Sequence, residues 1–389
     1  MSPAAIGAVA APADVVALAS RVRDAAARRA ALAVRGSGGW WTEPAPGAEV
    51  VTVAGLDAIS DFNPADLVVT TGAGVPLDRL AARLAAKGAW LPFDPPGPLS
   101  RTVGGALAAG GGGPLAAHYG PARDHVLGLV VVAGDGTVVR LGGRVVKNVA
   151  GFDLAKLVIG GHGAFGVIAE AHLRLRARPA ADRTHVWRGG PAWVQAATAA
   201  AQAGGTSPAA LEVVSPGLAA RIGWTDADGT WALAARAVGS PAGVEEDLRA
   251  IAHAAESPPA VTLEGEEPWT RWRLAVGDWP TVLRIGAEPA AWARAVALAE
   301  ACCGALLGAS VTVPRGTVRI GPAEDAAAIR RLRLEAAALG WPVTVERAAP
   351  ATRATAGIWG ALPPAVERLT RAARACFDPP GILAAPLLA

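Results

Sequence analysis

The chain has 389 residues, of which 52% are hydrophobic and 18% charged, with a formal net charge of +3. A chain this long exceeds one ordinary domain of about 100 to 200 residues and buries a sizeable core, so two domains are expected. No Lys/Arg run forms a nucleic-acid stripe, and no apolar run reaches the roughly 18 residues of a membrane span.

All but three of the 36 cationic residues are Arg, in an Ala-rich background, which reads as compositional bias rather than a thermal ion-pair network. The three cysteines, Cys302, Cys303 and Cys376, include no CxxC. That argues against a metal site, an iron–sulfur cluster or a disulfide framework, and suits a reducing cytoplasm. The N-terminus lacks both a basic segment and an unbroken apolar core, so no signal peptide is expected.

In chain order, Asp14 can cap a helix whose apolar positions Val15, Leu18 and Val22 fall at helical spacing, and Leu32 to Val34 then reads as a strand. The strand runs into the turn Arg35-Gly36-Ser37-Gly38-Gly39. Leu67 to Thr71 is a second strand, followed by Gly72-Ala73-Gly74 and a helix marked by Leu77, Leu80 and Leu84. From Pro92 to Gly113 the composition turns to Pro and Gly, which speaks against regular structure throughout that run. Val126 to Ala133 and Val138 to Leu141 flank Gly134-Asp135-Gly136 and predict a hairpin.

Gly161-His162-Gly163-Ala164-Phe165-Gly166 matches GxGxxG, with Asp182 at the distance of a ribose-binding acid. That dinucleotide fingerprint requires a helix after the third glycine. Val167 to Arg176 instead alternates apolar and polar residues with a period of two, so a strand is predicted and the Rossmann reading is set aside. After Pro179, strand-like runs at 209–214, 231–238, 281–286, 305–313 and 317–320 alternate with helical stretches near 190–203, 243–254, 290–302 and 324–339. A second α+β domain with helices on one face of a mainly antiparallel sheet fits this order.

Two glycine clusters in one domain, at 35–40 and 102–113, suit a pyrophosphate. Backbone N–H groups converging on one concavity neutralise it without nearby cations, and close approach needs residues without side chains. The run RTVGGALAAGGGGPLAAHYGPARDHVLGLVVVAGDGTVVRLGGRVVKNVAGFDLAKLVIGGHGAFGVIAEAHLRL (Arg101 to Leu175) resembles the PCMH-type FAD-binding domain of the vanillyl-alcohol oxidase superfamily, and within it the FAD-binding small subunits of bacterial glycolate oxidases. DLVVTTGAGVPLDRL, LPFDPP and the late CFDPPGIL fit the same order and spacing.

The resemblance implies a PCMH-type FAD-binding domain of two α+β subdomains over 1–178. A smaller α+β cap domain would follow over 179–389, with the segment 376–389 returning to the first. It implies noncovalent FAD, with Arg35, Gly36, Ser37, Gly38, Gly39 and Trp40 as the first pyrophosphate loop. Thr102, Val103, Gly104 and Gly105 would form the second. Pro95, Gly110, Gly111, Gly112, Gly113, Tyr119, Gly120 and Ile168 would lie along the dinucleotide or the isoalloxazine ring. His118 is the one nearby residue to test for a covalent bond to the flavin.

Candidate catalytic groups are few. Lys147 and Asn148 stand side by side in a chain with three Lys and two Asn, where a specific ammonium and amide geometry has a use. Arg271 and Arg273, in WTRWR, could hold a carboxylate, although alternating Trp and Arg also describes an amphipathic edge. No metal-ligand spacing occurs, and the family's Asn-Pro-Gly after FDPPGIL is replaced by Ala384-Ala385-Pro386.

The expected function is therefore the FAD-binding subunit of a glycolate oxidase-type complex acting on glycolate or D-lactate. Its implied partners are a larger FAD-containing catalytic subunit and an iron–sulfur subunit. The chain would be cytoplasmic, peripheral on the membrane through those partners, and its second-domain tryptophans would be buried in subunit contacts. A non-catalytic electron-relay or assembly subunit and a stand-alone hydroxy-acid or alcohol oxidase are the alternatives.

Overall fold

The structure is a computed structural model that describes residues 10–38, 47–143, 153–226 and 229–384. Asp14 caps the helix Val15–Arg28 by accepting from the Ala17 amide at 2.7 Å, and Leu18, Val22 and Ala25 are buried along one stripe. The chain then enters the strand Leu32–Arg35, which pairs in parallel with Glu49–Thr52.

A second unit is a five-stranded sheet in the order Ile59–Asn63, Val68–Gly72, Val167–Arg174, Val126–Val132, Val138–Gly142, antiparallel throughout. Val167–Arg174 is its central strand, as the period of two requires. Because both faces of that strand are covered, His172 is buried as well, with Thr70 Oγ1 3.0 Å from its Nδ1.

One expectation is overturned in the glycine-rich run. Residues Val103–Ala109 form a helix despite Gly104 and Gly105. Thr102 caps it by accepting from the Gly105 amide at 3.2 Å, and Gly110, with φ of 64°, closes it in the left-handed conformation. Burial of Val103, Ala106 and Leu107 against the first-domain core offsets the glycine entropy that argued against a helix.

The second domain carries an eight-stranded sheet, every neighbouring pair antiparallel. Its order is Val261–Glu264, Ala181–Gly189, Trp231–Gly239, Ala210–Val214, Leu306–Thr312, Thr317–Pro322, Val282–Gly286, Val343–Arg347. Helices Pro191–Ala203, Pro241–Ala254, Trp292–Cys303 and Ala326–Ala337 cover one face, where Leu211, Val213, Leu233 and Val311 join their apolar stripes in one core. A separate core holds Trp224, Trp269, Trp272 and Trp279.

The tryptophans expected at a subunit interface are internal instead. Trp187, Trp224, Trp269, Trp272, Trp279, Trp292 and Trp341 are all buried within the chain. WTRWR is no strand edge but part of the helix Glu267–Gly277, which turns Trp269, Trp272 and Arg273 inward and leaves Arg271 outside.

The chain returns to the first domain at its end. Leu32 donates to the Ile382 carbonyl at 2.7 Å, Ala384 donates to Leu32 at 2.8 Å, and Ile382 and Leu383 join the first-domain core. Buried Asp378 fixes this segment by accepting from the amides of Ile382 at 3.0 Å and Leu383 at 2.9 Å. Asp378→Ala leaves both amides unpaired, so equilibrium unfolding in urea should show a loss of about 3 kcal/mol. An unchanged midpoint would mean that the segment is not anchored there.

Candidate functional site

Three backbone segments converge on a cleft of about 830 Å³, its open mouth included. The turn Arg35–Gly38 forms one side. Gly104, Gly105, Ala108 and Ala109 of the short helix form the floor, and His162, Gly163, Gly166, Val167 and Ile168 form the far wall. Val34, Val53, Arg101 and Val158 complete the lining.

Backbone hydrogen bonds hold these segments in register. Val103 and Gly104 donate to the carbonyls of Val75 and Ala73, each at 2.8 Å, which pins the start of the helix to the preceding glycine turn. Gly160 and His162 donate to Leu107 and Ala108 at 3.0 and 2.9 Å, which ties the far wall to the helix C-terminus. A Cβ on Gly36 would overlap the Thr102 hydroxyl, so the two glycine clusters touch directly. Among the described residues, the amides of Gly36, Ser37 and Gly38 have no acceptor, which leaves a small concavity of donors on the cleft wall.

The glycines do different things. A Cβ on Gly104 would lie 2.6 Å from Ala73 Cβ and 3.0 Å from the Ala73 carbonyl, so its role is backbone packing. A Cβ on Gly105 would meet only the Thr102 hydroxyl, at 3.0 Å, and otherwise project into open space.

Burial dominates the electrostatics. It brings the Arg101 guanidinium down to about 10, with nearby Arg273 and Arg347 adding repulsion against the attraction of Glu346. It also brings His162 down to about 4, so this imidazole is neutral at pH 7. His162 has a φ of 48° and meets Trp359 of the second domain edge-on, with ring centroids 5.8 Å apart.

Of the residues expected to hold the cofactor, Arg35, Gly36, Ser37, Gly38, Gly104, Gly105 and Ile168 line the cleft. Thr102 and Val103 stand directly behind it. Gly39, Trp40, Lys147 and Asn148 lie outside the described residues. Pro95, Gly110, Gly111, Gly112, Gly113, Tyr119 and Gly120 are not in the lining. Gly112 offers its carbonyl to Arg319 of the second domain at 2.6 Å, and Gly113 donates to Asp94 at 3.1 Å. Tyr119 packs on Trp90 and His118, and His118 Nδ1 is 3.1 Å from Ser207 Oγ of the second domain. Arg271 is exposed and paired with Glu267.

Arg101, Ala108, Ala109, Val158, His162 and Gly163 were not anticipated. His162 carries a signal in the sequence, the turn Gly161-His162-Gly163, which serves here as a cleft wall and not as the start of a dinucleotide-binding helix.

A second polar centre lies between the domains. Arg319 pairs with Glu346 at 2.8 Å while gripping Gly112, and Arg236 takes Asp182 at 2.8 and 2.6 Å. Trp272 Nε1 donates to Ser310 Oγ at 2.7 Å, and Ser310 donates to Glu212 at 2.5 Å. Burial pushes Glu212 up to about 8 and Asp94 up to about 6. Asp94 also accepts from Leu115, at 3.1 Å, so both its oxygens hold the loop after the short helix. Among the described residues no group of three His, Cys, Asp or Glu side chains could hold a metal.

A family model described as an FAD binding domain matches residues 6–142. Glycolate oxidase subunit GlcE of Escherichia coli is 40% identical over 125 residues, covering 32% of this chain and 36% of that protein. Glycolate oxidase subunit GlcD of Bacillus subtilis is 35% identical over 144 residues, 37% of this chain and 30% of that protein. A D-lactate dehydrogenase of Archaeoglobus fulgidus is 40% identical over 109 residues, 28% of this chain and 24% of that protein. The matches thus span about a third or less of these relatives' own lengths.

The fold extends further than the sequence likeness. The 4-ethylphenol oxidase of Gulosibacter chungangensis superposes with a TM-score of 0.72 at 17% identity, over 97% of this chain and 88% of that one. An alkyldihydroxyacetonephosphate synthase superposes with a TM-score of 0.72 at 14% identity, over 97% and 75%. Both domains therefore share the fold of these two proteins.

FAD fits the cleft on its own geometry. The FAD-binding domain offers a donor concavity at Gly36–Gly38, a floor without a side chain at Gly105, and apolar walls from Val34, Val53, Val158, Val167 and Ile168.

Gly105→Val should keep the apoprotein melting temperature near that of the parent but purify without the flavin spectrum, since the new side chain occupies the floor. Gly104→Val should instead lower the stability of the apoprotein itself by roughly 2 kcal/mol through its clash with Ala73. Full flavin content in the Gly105 variant would remove that residue from the site.

Glu212 gives a pH signature. Its folded value of about 8 exceeds the unfolded carboxylate value of 4.5, so the folded state holds the extra proton between these limits. The stability it contributes is complete below about pH 4.5 and is lost as pH rises toward 8. Glu212→Gln should match the parent near pH 4.5 and gain on it by up to about 1.4 kcal/mol per pH unit through that window, read by urea unfolding. A constant difference would mean that the carboxyl does not stay protonated.

Proposed function

We propose that this chain is an FAD-dependent oxidoreductase subunit of a glycolate oxidase-type complex, acting on glycolate or D-lactate. The bound flavin supplies the hydride acceptor for oxidation at the hydroxyl-bearing carbon. The observation that carries this reading is Arg101 in the cleft lining, backed from the second domain by Arg273 on the Gly97 carbonyl. Arg101 lines the cleft and lies against Gly97, while Arg273 donates from Nε to the Gly97 carbonyl at 3.1 Å. Gly97 returns its amide to the Arg273 carbonyl at 2.8 Å. Both guanidiniums are largely buried, and the planar fork of a guanidinium matches the geometry of a small carboxylate. Arg101 then binds the acid group from the cofactor side, and Arg273 of the second domain positions it by holding the Gly97 backbone.

The larger FAD subunit and the iron–sulfur subunit belong to the same proposal, because flavin electrons need an exit. The chain works in the cytoplasm, peripheral to the membrane through these partners. No described helix is long and apolar enough to cross a membrane.

One observation favours a second reading, a flavin carrier or assembly subunit. The charges on the second-domain sheet are taken up by one another, Asp182 by Arg236 and Glu346 by Arg319, instead of pointing at a free space.

Anaerobic addition of glycolate or D-lactate to the purified chain separates the two. Under the enzymatic reading the flavin band bleaches, and Arg273→Met slows bleaching by tenfold or more, about 1.4 kcal/mol or greater. Bleaching only after the partner subunits are added supports the carrier reading. A flavin band that persists with every 2-hydroxy acid and every partner contradicts both.

A further inference from the structure

The helix Pro364–Phe377, near the end of the chain, is turned the wrong way round for a helix that faces water. Among the described α-helices it alone buries none of its residues. Its last turn is anchored. Ala373 and Phe377 pack against the first-domain core, Gly134 donates to the Phe377 carbonyl at 2.8 Å, and Arg374 donates to the Leu383 carbonyl at 2.8 Å. In the turns before it, the half-buried residues are the polar Glu367 and Thr370, while the apolar Val366 and Leu369 are exposed. A surface helix ordinarily puts its apolar stripe inward and its polar residues outward.

Leu369 is 71% exposed and Val366 45%. Ala365, Leu369, Ala372 and Cys376, all exposed, follow one another at spacings of four, three and four, so they form one outward stripe. Exposed Arg368 and Arg371 stand beside it, Arg371 paired with Glu367 at 2.6 Å. No residue of this helix lines the flavin cleft.

Charge is concentrated at the same place. Between Pro350 and Phe377 the chain carries Arg353, Arg368, Arg371 and Arg374 against the single acid Glu367, an excess that equals the net charge of +3 of the whole chain. The remainder of the chain is balanced, so the partner that this face attracts is anionic.

The side chains select among anionic partners. A second copy would set the same arginines against one another. A protein groove is held by large anchors in deep pockets, chiefly Trp, Tyr and Arg, whereas this stripe has one leucine and one valine among alanines. A lipid surface asks for shallow apolar side chains at the acyl boundary, with arginines among acidic head groups. We propose that the helix Pro364–Phe377 docks the chain directly on an anionic lipid surface. It lies along that surface for about 21 Å, with Val366 and Leu369 entering the boundary and Arg368 and Arg371 meeting the head groups. This contact is the chain's own and depends neither on the partner subunits nor on the substrate.

The test sediments the full flavin-loaded chain with vesicles of phosphatidylglycerol and phosphatidylcholine in equal parts, and with vesicles of phosphatidylcholine alone. At about 20 mM salt the chain should partition onto the mixed vesicles roughly tenfold or more above phosphatidylcholine, and about 500 mM salt should remove most of that preference. Leu369→Asp and Arg368→Glu, both at exposed positions, should each weaken the partition about tenfold. Leu307→Asp brings the same new charge to a 58% exposed leucine of the second-domain sheet and should leave the partition within about twofold of the parent. Flavin content and melting temperature equal to the parent's show that the variants are folded.

No partition onto the mixed vesicles overturns the proposal, as does unchanged partition in Leu369→Asp. Equal binding to phosphatidylcholine, an unaffected Arg368→Glu, or an equal loss in Leu307→Asp means general apolar adhesion and also overturns it. A concentration-dependent dimer that Leu369→Asp abolishes would give the stripe to a second copy and overturn the lipid assignment.

Discussion

The hydroxyl of Thr102 is the point on which the cofactor cleft is registered. It caps the helix Val103–Ala109 through Gly105 and presses against Gly36 of the first glycine turn, where no side chain is tolerated. One small polar side chain therefore sets the distance between two glycine loops that lie 66 positions apart in sequence. The amides of Val103 and Gly104 are committed to Val75 and Ala73, so the start of this helix is a fixed abutment. The donors left for a phosphate are those of the Gly36–Gly38 turn. A dinucleotide site built this way depends on backbone placement more than on charge, which accounts for a cleft with few cations and many glycines.

The two domains meet through guanidinium groups on backbone carbonyls. Arg273 reaches Gly97 and Arg319 reaches Gly112, and both carbonyls belong to the stretch that flanks the short helix. The second domain thereby holds the floor of the cleft from behind. Arg319 does so while paired with buried Glu346, whose carboxyl burial would raise but whose arginine neighbours hold low. Elsewhere Arg333 donates to Val343, Gly357 and Ile358, and Arg374 to Leu383. The arginine excess has a structural use beyond composition, because a planar fork serves several carbonyls at once where an ammonium would serve them less directionally.

Much of the architecture was legible because the relevant signals are local. The alternation after Gly166 marked a central strand and excluded a Rossmann helix, and the runs after Pro179 match five of the eight described sheet strands and the four covering helices, while Ala181–Gly189, Val261–Glu264 and Val343–Arg347 carry no such signal. The short helix at Val103 was hidden because its glycines are poor helix formers, and only burial of Val103, Ala106 and Leu107 makes it stable. The tryptophans misled because sequence shows that they are large and apolar but not which interior they fill. At the site, the turn Arg35–Gly38 and the pair Gly104-Gly105 were readable as glycine clusters. Arg101, Ala108 and Val158 were not, since nothing distinguishes them until folding brings three distant segments together. Glu212 and Asp94 escaped notice for the same reason: one sits in an apolar strand, the other in a proline-rich strap, and their character comes from burial beneath the other domain.

The central claim is that FAD occupies the cleft between the first glycine turn, the short helix and the loop before Val167. Hydrogen exchange of the apoprotein with and without added FAD tests it most directly. The account predicts slowed exchange at three separated segments, 36–38, 105–109 and 162–168, with the helix Leu77–Ala85 little changed. Protection confined to other regions, or bound FAD that protects none of the three, would contradict it.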